Sequence, residues 1–292
     1  MIVVKLMGGL GNQMFQYAAG RCLAHLHKTE LKIDLSYLNK DPQNKYTKRE
    51  YKLDAFNIKA EFANENDVRI FSPLDRGKIS NTLMRKLPIL YSKVVANESG
   101  HKYMKEFYSF PKDVYLNGFW QSEKYFEPVK DLIREEFVIK ESLSKENSEL
   151  CNKIVSCDSV SLHIRRGDYV TNKESNSYHG VCSLEYYREA INYLRKTSND
   201  LTIFVFSDDI EWAKANLKSD LKIDFIERNN PGHIDIHLMA LCKHNIIANS
   251  SFSWWSAWLN RNPGKIVIAP MQWFADAHNT TPDIYPENWV KI

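Results

Sequence analysis

The 292-residue chain predicts an α/β fold made of two Rossmann-like halves whose parallel sheets face a cleft. Three observations carry that expectation. The N-terminus reads as strand, glycine turn, helix and strand before residue 40. From Ser159 onward, apolar runs of strand length alternate with helical segments of roughly 10 to 15 residues, the pattern of βαβ units in a parallel sheet. The polar clusters also fall where strands should end at their carboxyl side, which is where open parallel sheets bind ligands.

In the first half, Ile2 to Met7 (IVVKLM) reads as a buried strand followed by the turn MGGLGNQ. A helix from about Asn12 follows, on which Phe15, Ala18, Ala19, Cys22, Leu23 and Leu26 share one apolar face at helical spacing. Leu31 to Leu38 is the second strand. Asp41 to Lys112 is less regular and reads as helices and loops decorating this half. Val114 to Trp120 (VYLNGFW) reads as a strand, and residues 123–150 as helical. The polar KESLSKENSE at their end marks a change of composition. It places the domains at 1–150 and 151–292, with the last ~15 residues returning to the first domain if the chain crosses back.

In the second half, Ser159 to Ile164 (SVSLHI) is a strand, and a helix follows Ser183 as N-cap with Glu185 in its first turn. Then come strand LTIFVFSDD, helix IEWAKANLK, strand KIDFIE, helix HIDIHLMALCKH, strand NIIANSS, helix SFSWWSAWLN and KIVIAP as the final strand.

Composition narrows the function classes. With 43% hydrophobic, 12% aromatic and 26% charged residues the chain is globular rather than disordered. A net charge of +3 is too small for a nucleic-acid surface but suits one local polyanion pocket. The five cysteines form no CxxC pair, so free thiols in a reducing compartment are expected, not a disulfide framework or zinc site. There is no signal-peptide pattern, and no window reaches the roughly 18 apolar residues of a membrane span. The expected location is cytoplasmic. Sequons at Asn97, Asn249 and Asn279 would matter only in a secretory lumen.

Four clusters carry chemistry. In GGLGNQMF, Gly9 and Gly11 lack the third glycine of a dinucleotide fingerprint, although Asp34 lies where a ribose-binding acid would. An NAD(P)-dependent oxidoreductase with a degenerate glycine loop therefore stays as an alternative. The turn also suits close approach of backbone N–H groups and the amides of Asn12 and Gln13 to a ligand. In SLHIRRGDYV, Arg165 and Arg166 offer the planar forks that bind phosphate in pairs, unless salt bridges to Asp168 and other carboxylates splay them apart. Asp208 and Asp209 in FSDD could accept from a purine edge or ribose hydroxyls, or cap the next helix; adjacent acids favour metal-free chemistry. In NSSFSWWSAW, Ser250, Ser251 and Ser253 open a helix whose N-terminus can take an anion. Trp254, Trp255 and Trp258 read as packing. His179 is a loop histidine after the arginine cluster.

Together GGLGNQMFQYA, HIRRGDYV, FSDD and NSSFSWWSAWLN resemble, in order and over nearly the whole chain, the α-1,2-fucosyltransferases of glycosyltransferase family 11 in their short bacterial form. The H-x-R-R-x-D element is also similar to that of α-1,6- and protein O-fucosyltransferases. The resemblance implies a GT-B-type fold, with GDP-fucose held mainly by the C-terminal domain and the acceptor by the N-terminal one. It implies an inverting, metal-independent transfer of L-fucose from GDP-β-L-fucose to the 2-OH of a terminal β-galactoside. No other cofactor or nucleic acid is implied, and membrane association would be peripheral, where the acceptor is lipid-linked.

Residue by residue, the resemblance places guanosine and β-phosphate contacts at His163 and Arg165, with Arg166 as the second arginine. The guanine-reading acid falls on Asp208 or Asp209, and the phosphate loop on Ser250, Ser251 and Phe252. Gly9 and Gly11 join the donor site, and Asn12 stands near the reacting centre. Asp168 is the expected catalytic base, with Glu174 and His179 in the following loop as further candidates. A non-catalytic nucleotide- or carbohydrate-binding protein is the remaining alternative.

Overall fold

The computed structural model describes residues 1–40, 48–71, 94–227, 230–276 and 281–292. The side chains of residues 168, 173 and 175 lie outside that description. The chain divides into two units, Met1–Val138 with Pro282–Ile284, and Ile139–Thr281 with Tyr285–Ile292.

The first unit is a parallel sheet. Strand β1 (Ile2–Lys5) leads through the glycine turn into helix α1 (Leu10–Leu26) and back to β2 (Leu31–Asp34). Then follow β3 (Glu61–Phe62), α2 (Glu65–Arg69), β4 (Val94–Asn97), β5 (Val114–Asn117) and α3 (Lys130–Glu136). The order is β3-β2-β1-β5-β4, and each adjacent pair is parallel. Helix α1 buries Phe15, Ala18, Ala19, Cys22 and Leu23 as its spacing requires, while Leu26 at its end stays exposed. Asp283 returns to this unit because its carboxylate accepts from the Tyr103 N–H at 2.9 Å and pairs with Lys124 at 2.6 Å.

The second unit starts with α4 (Lys145–Val155) and β6 (Asp158–Ile164), followed by two short helices, α5 (Gly167–Thr171) and α6 (Lys173–His179). Then come α7 (Leu184–Arg195), β7 (Leu201–Ser207), α8 (Ile210–Asn216), β8 (Lys222–Phe225), α9 (Gly232–Leu241), β9 (His244–Ile246), α10 (Ser251–Leu259), β10 (Val267–Ala269) and β11 (Val290–Lys291). The sheet order is β11-β10-β9-β6-β7-β8, again all parallel. Read from β8, this is the doubly wound order that reverses at β6, so β6 and β9 flank the topological switch point.

Five expectations change. The boundary lies after Val138 rather than near 150, because Leu150 and Ile154 of α4 pack into the second core with Phe204, Phe206 and Leu238. Only residues 282–284 of the tail join the first unit, and KIVIAP is not the last strand, since β11 pairs with β10 beyond it. Helix α9 stops at Leu241, and His244 begins β9. Glu174 and His179 sit on a helix, α6, not in a loop. The expected helices around residues 41–47 and 72–93 lie outside the described residues. All five cysteines are free, with Cys22 and Cys242 fully buried. No helix among the described residues is long and apolar enough to cross a membrane.

Candidate active site

The switch point assembles three polar clusters separated in sequence. Strands β9, β6 and β7 are neighbours, so their carboxyl ends deliver Asn249-Ser250-Ser251, His163-Ile164-Arg165-Arg166 and Ser207-Asp208-Asp209 to one sheet edge.

His163 is the last inward residue of β6, and only 5% of it is exposed. Its Nδ1 has no hydrogen-bond partner among the described residues, and its ring lies 5.5 Å from that of Phe252 on α10. Burial lowers its pKa to about 4, the Arg165 charge adding to the fall and Asp208 opposing it. The imidazole is neutral near pH 7 and keeps a buried polar atom at the site, which a ligand hydroxyl or purine nitrogen can satisfy.

The two arginines are splayed by carboxylates. Arg165 Nη1 stands 2.8 Å from Asp208 Oδ2, and Arg166 Nε stands 3.1 Å from Asp209 Oδ2. Asp208 Oδ1 also accepts the Arg166 backbone N–H at 2.8 Å. Asp209 caps α8 through the Trp212 N–H at 3.3 Å. Both acids hold the arginines in place, whatever else their remaining lone pairs accept. Two aromatic faces finish the job. The Arg166 guanidinium lies 3.8 Å from the Trp212 ring centroid, and that of Arg165 lies 5.3 Å from Tyr169. Gly167 follows because a Cβ there would sit 2.5 Å from Asp208 Oδ2.

Asp168 lies on α5, two residues after Arg166, but its side chain is outside the described residues. His179 stacks on Tyr169 at 4.5 Å and 1°, so it reaches the arginine cluster through that ring. Glu174 is exposed on the first turn of α6.

Ser250 is the N-cap of α10, its hydroxyl accepting the Phe252 N–H at 3.4 Å. Asn249 ties the end of β9 to α6, donating to the His179 carbonyl at 2.8 Å. Trp254 and Trp255 are fully buried and Trp258 almost so, as the packing reading required. They hold α10 so that Ser250, Ser251 and Phe252 stand at its start, where backbone N–H groups point outward.

Sequence reasoning missed Tyr169 and Trp212, whose rings lie against the two guanidinium groups. Asp235 is in the first turn of α9, after β8, and accepts from Asn230 Nδ2 at 3.1 Å. Burial raises its carboxyl to about 6.

In the first unit, Gly9 caps α1 with its carbonyl, which accepts the Asn12 and Gln13 N–H groups at 3.0 Å. Gly11 is buried in the first turn. Gly8 has φ +75° and lies against the Asn12 amide, whose Oδ1 accepts from Gln121 Nε2 at 2.8 Å. Gln13 does not reach out as expected, since its amide bonds the Gly8 and Glu50 carbonyls and the Lys52 N–H. Asp34 is buried and accepts from its own turn and from the Tyr115 hydroxyl. A ribose contact there is excluded, and the nicotinamide reading loses its acid. Among the described residues, no group of three or more His, Cys, Asp or Glu side chains stands together to hold a metal ion.

Two parallel-sheet α/β units, with paired arginines and a helix start at the switch point of the second, make a GT-B-type fold. A solved fucosyltransferase, NodZ from Bradyrhizobium, shares the fold with a TM-score of 0.50 at 14% identity, over 95% of this chain and 95% of that one. Residues 92–292 match the model of glycosyl transferase family 11, and the chain belongs to that family. It is 40% identical to an Escherichia coli alpha-1,2-colitosyltransferase over 100% of this chain and 98% of that one. It is 35% identical to the E. coli O-antigen biosynthesis glycosyltransferase WbnK, over 98% of this chain and 99% of the other. Family membership displaces both the oxidoreductase and the non-catalytic alternatives.

Proposed function

We propose that the protein is an inverting α-1,2-fucosyltransferase acting on a terminal β-galactoside of an oligosaccharide or surface glycan, with GDP-β-L-fucose as donor. The observation that supports it most is the junction of His163, Arg165, Arg166 and the α10 start at the ends of two adjacent strands, β6 and β9. The second unit takes GDP, and the first takes the acceptor. His163 contacts the nucleoside, and Phe252 packs beside it. The acid that reads the purine edge is Asp208 or Asp209, where the family resemblance places it.

The acceptor 2-hydroxyl attacks C1 of the sugar as the bond from C1 to the β-phosphate oxygen breaks, and GDP leaves with the electron pair. Asp168 receives the hydroxyl proton. Negative charge grows on the departing diphosphate in an oxocarbenium-like transition state. Arg165, Arg166, Ser250, Ser251 and the α10 N-terminus meet that charge where it develops.

The 40% identical colitosyltransferase supports a second donor reading. Colitose is fucose without its 3-hydroxyl, so the two donors share every other group. An assay of GDP-fucose and GDP-colitose against a panel of β-galactosides, with linkage by NMR, decides between them. Transfer of neither sugar, or a linkage other than α-1,2, overturns the proposal.

A further inference from the structure

At the carboxyl edge of the first sheet, one carboxylate holds a backbone conformation that a bulky residue seldom adopts. Trp120 has φ +54°, although its side chain is large and fully buried. Glu98, just past β4, sets this turn. Its Oε2 accepts the Phe119 N–H at 2.7 Å and the Trp120 N–H at 2.9 Å. Its own N–H donates to the Asn117 carbonyl at 3.0 Å, so strand pairing and side chain together clamp the segment that leaves β5. The next residue, Gln121, donates to Asn12 Oδ1 at 2.8 Å.

We propose that Glu98 is a positioning residue for transfer: it fixes the left-handed turn at Trp120, so that Gln121 holds the Asn12 amide at the reacting centre. This rests on the proposed transfer and on the place near the reacting centre that the family resemblance gives Asn12. Backbone strain persists only where its surroundings over-determine it, and it gathers at sites that need an aimed group. Here the strained residue lies between the carboxylate and the amide it aims. Burial also raises the Glu98 carboxyl above its ordinary range, against the two backbone N–H groups that lower it.

The test uses steady-state transfer, GDP titration and thermal melting of the whole protein. Glu98→Ala should lower kcat by roughly 10²-fold, the scale of a small misplacement of a reacting group. Donor KM and GDP affinity should stay unchanged. Glu98→Gln keeps an oxygen for both N–H groups and should regain most of kcat. Gln121→Ala should lose as much as Glu98→Ala, and the double variant should lose no more than either single one, because both act through one path.

Full turnover by Glu98→Ala overturns the proposal, as do losses that multiply in the double variant. Glu98→Gln as inactive as Glu98→Ala, with the acidic limb of the pH profile gone, also overturns it and makes Glu98 a proton acceptor. If Glu98→Ala does not fold, Glu98→Gln and Gln121→Ala still decide. A wild-type protein that binds GDP but transfers neither sugar sinks the proposed function instead.

Discussion

Asp208 holds Arg165 and Arg166 at once: Oδ2 stands 2.8 Å from the Arg165 guanidinium, and Oδ1 accepts the Arg166 backbone N–H at 2.8 Å. One carboxylate at the end of β7 thereby fixes the turn at the end of β6. Neighbouring arginines that would repel each other are each given an acid and an aromatic face. A guanidinium has five donors, so a pair with one carboxylate leaves geometry for a phosphate.

Arg165→Lys should lower kcat by roughly 10²–10³-fold, since a point charge cannot reproduce a bidentate fork. Stopped assays with saturating donor check this. A kcat within twofold of wild type would remove Arg165 from the phosphate.

Gly167→Ala places a Cβ 2.5 Å from Asp208 Oδ2 and must drive that carboxylate off Arg165. The crowding should cost about 1–3 kcal/mol in stability. GDP affinity should fall with it, as read by calorimetric titration beside a denaturant melt.

His163 gives a pH signature. Its folded-state pKa, about 4, is below the ordinary value of 6.5. The unfolded chain then binds more protons between those values, so stability is fully present above pH 6.5 and falls as pH drops towards 4. The loss is on the order of 3–4 kcal/mol at most, from roughly 1.4 kcal/mol per unit. Melting from pH 7.5 to 4.5 should show a shallower slope for His163→Leu than for wild type.

Turnover should survive EDTA if, as proposed, cationic side chains and a helix start neutralise the leaving diphosphate. Loss of transfer on chelation, restored by Mg²⁺, would require a metal in the reaction.

Glu136 provides a control remote from the proposed chemistry. It is buried and accepts from the Tyr17 hydroxyl at 2.6 Å and from Arg21 Nε at 2.9 Å. Glu136→Ala should lower stability by about 3–5 kcal/mol, because Arg21 and Tyr17 lose their partner. The GDP affinity of the folded fraction should not change.

Much of this protein is written locally. The α/β alternation, the glycine turn into α1, the Ser183 cap and the buried tryptophans of α10 follow from spacing that neighbouring residues impose on each other. Family membership, too, follows from four short motifs in order. The candidate clusters could be placed at strand ends because a strand's end is a local event.

Which ends meet is not local. Strand order, set by hydrogen bonds between segments dozens of residues apart, brought His163, Asp208 and Asn249 to one edge and made β6 and β9 the switch point. Tertiary packing alone paired Asp208 with Arg165 and Asp209 with Arg166, laid His179 on Tyr169, and turned the outward-looking Gln13 into an internal brace. It also gave Glu98 its hold on Trp120. Period and motif specify which residues a strand end carries; only the fold decides which groups share a hydrogen bond there, because the partners come from distant parts of the chain.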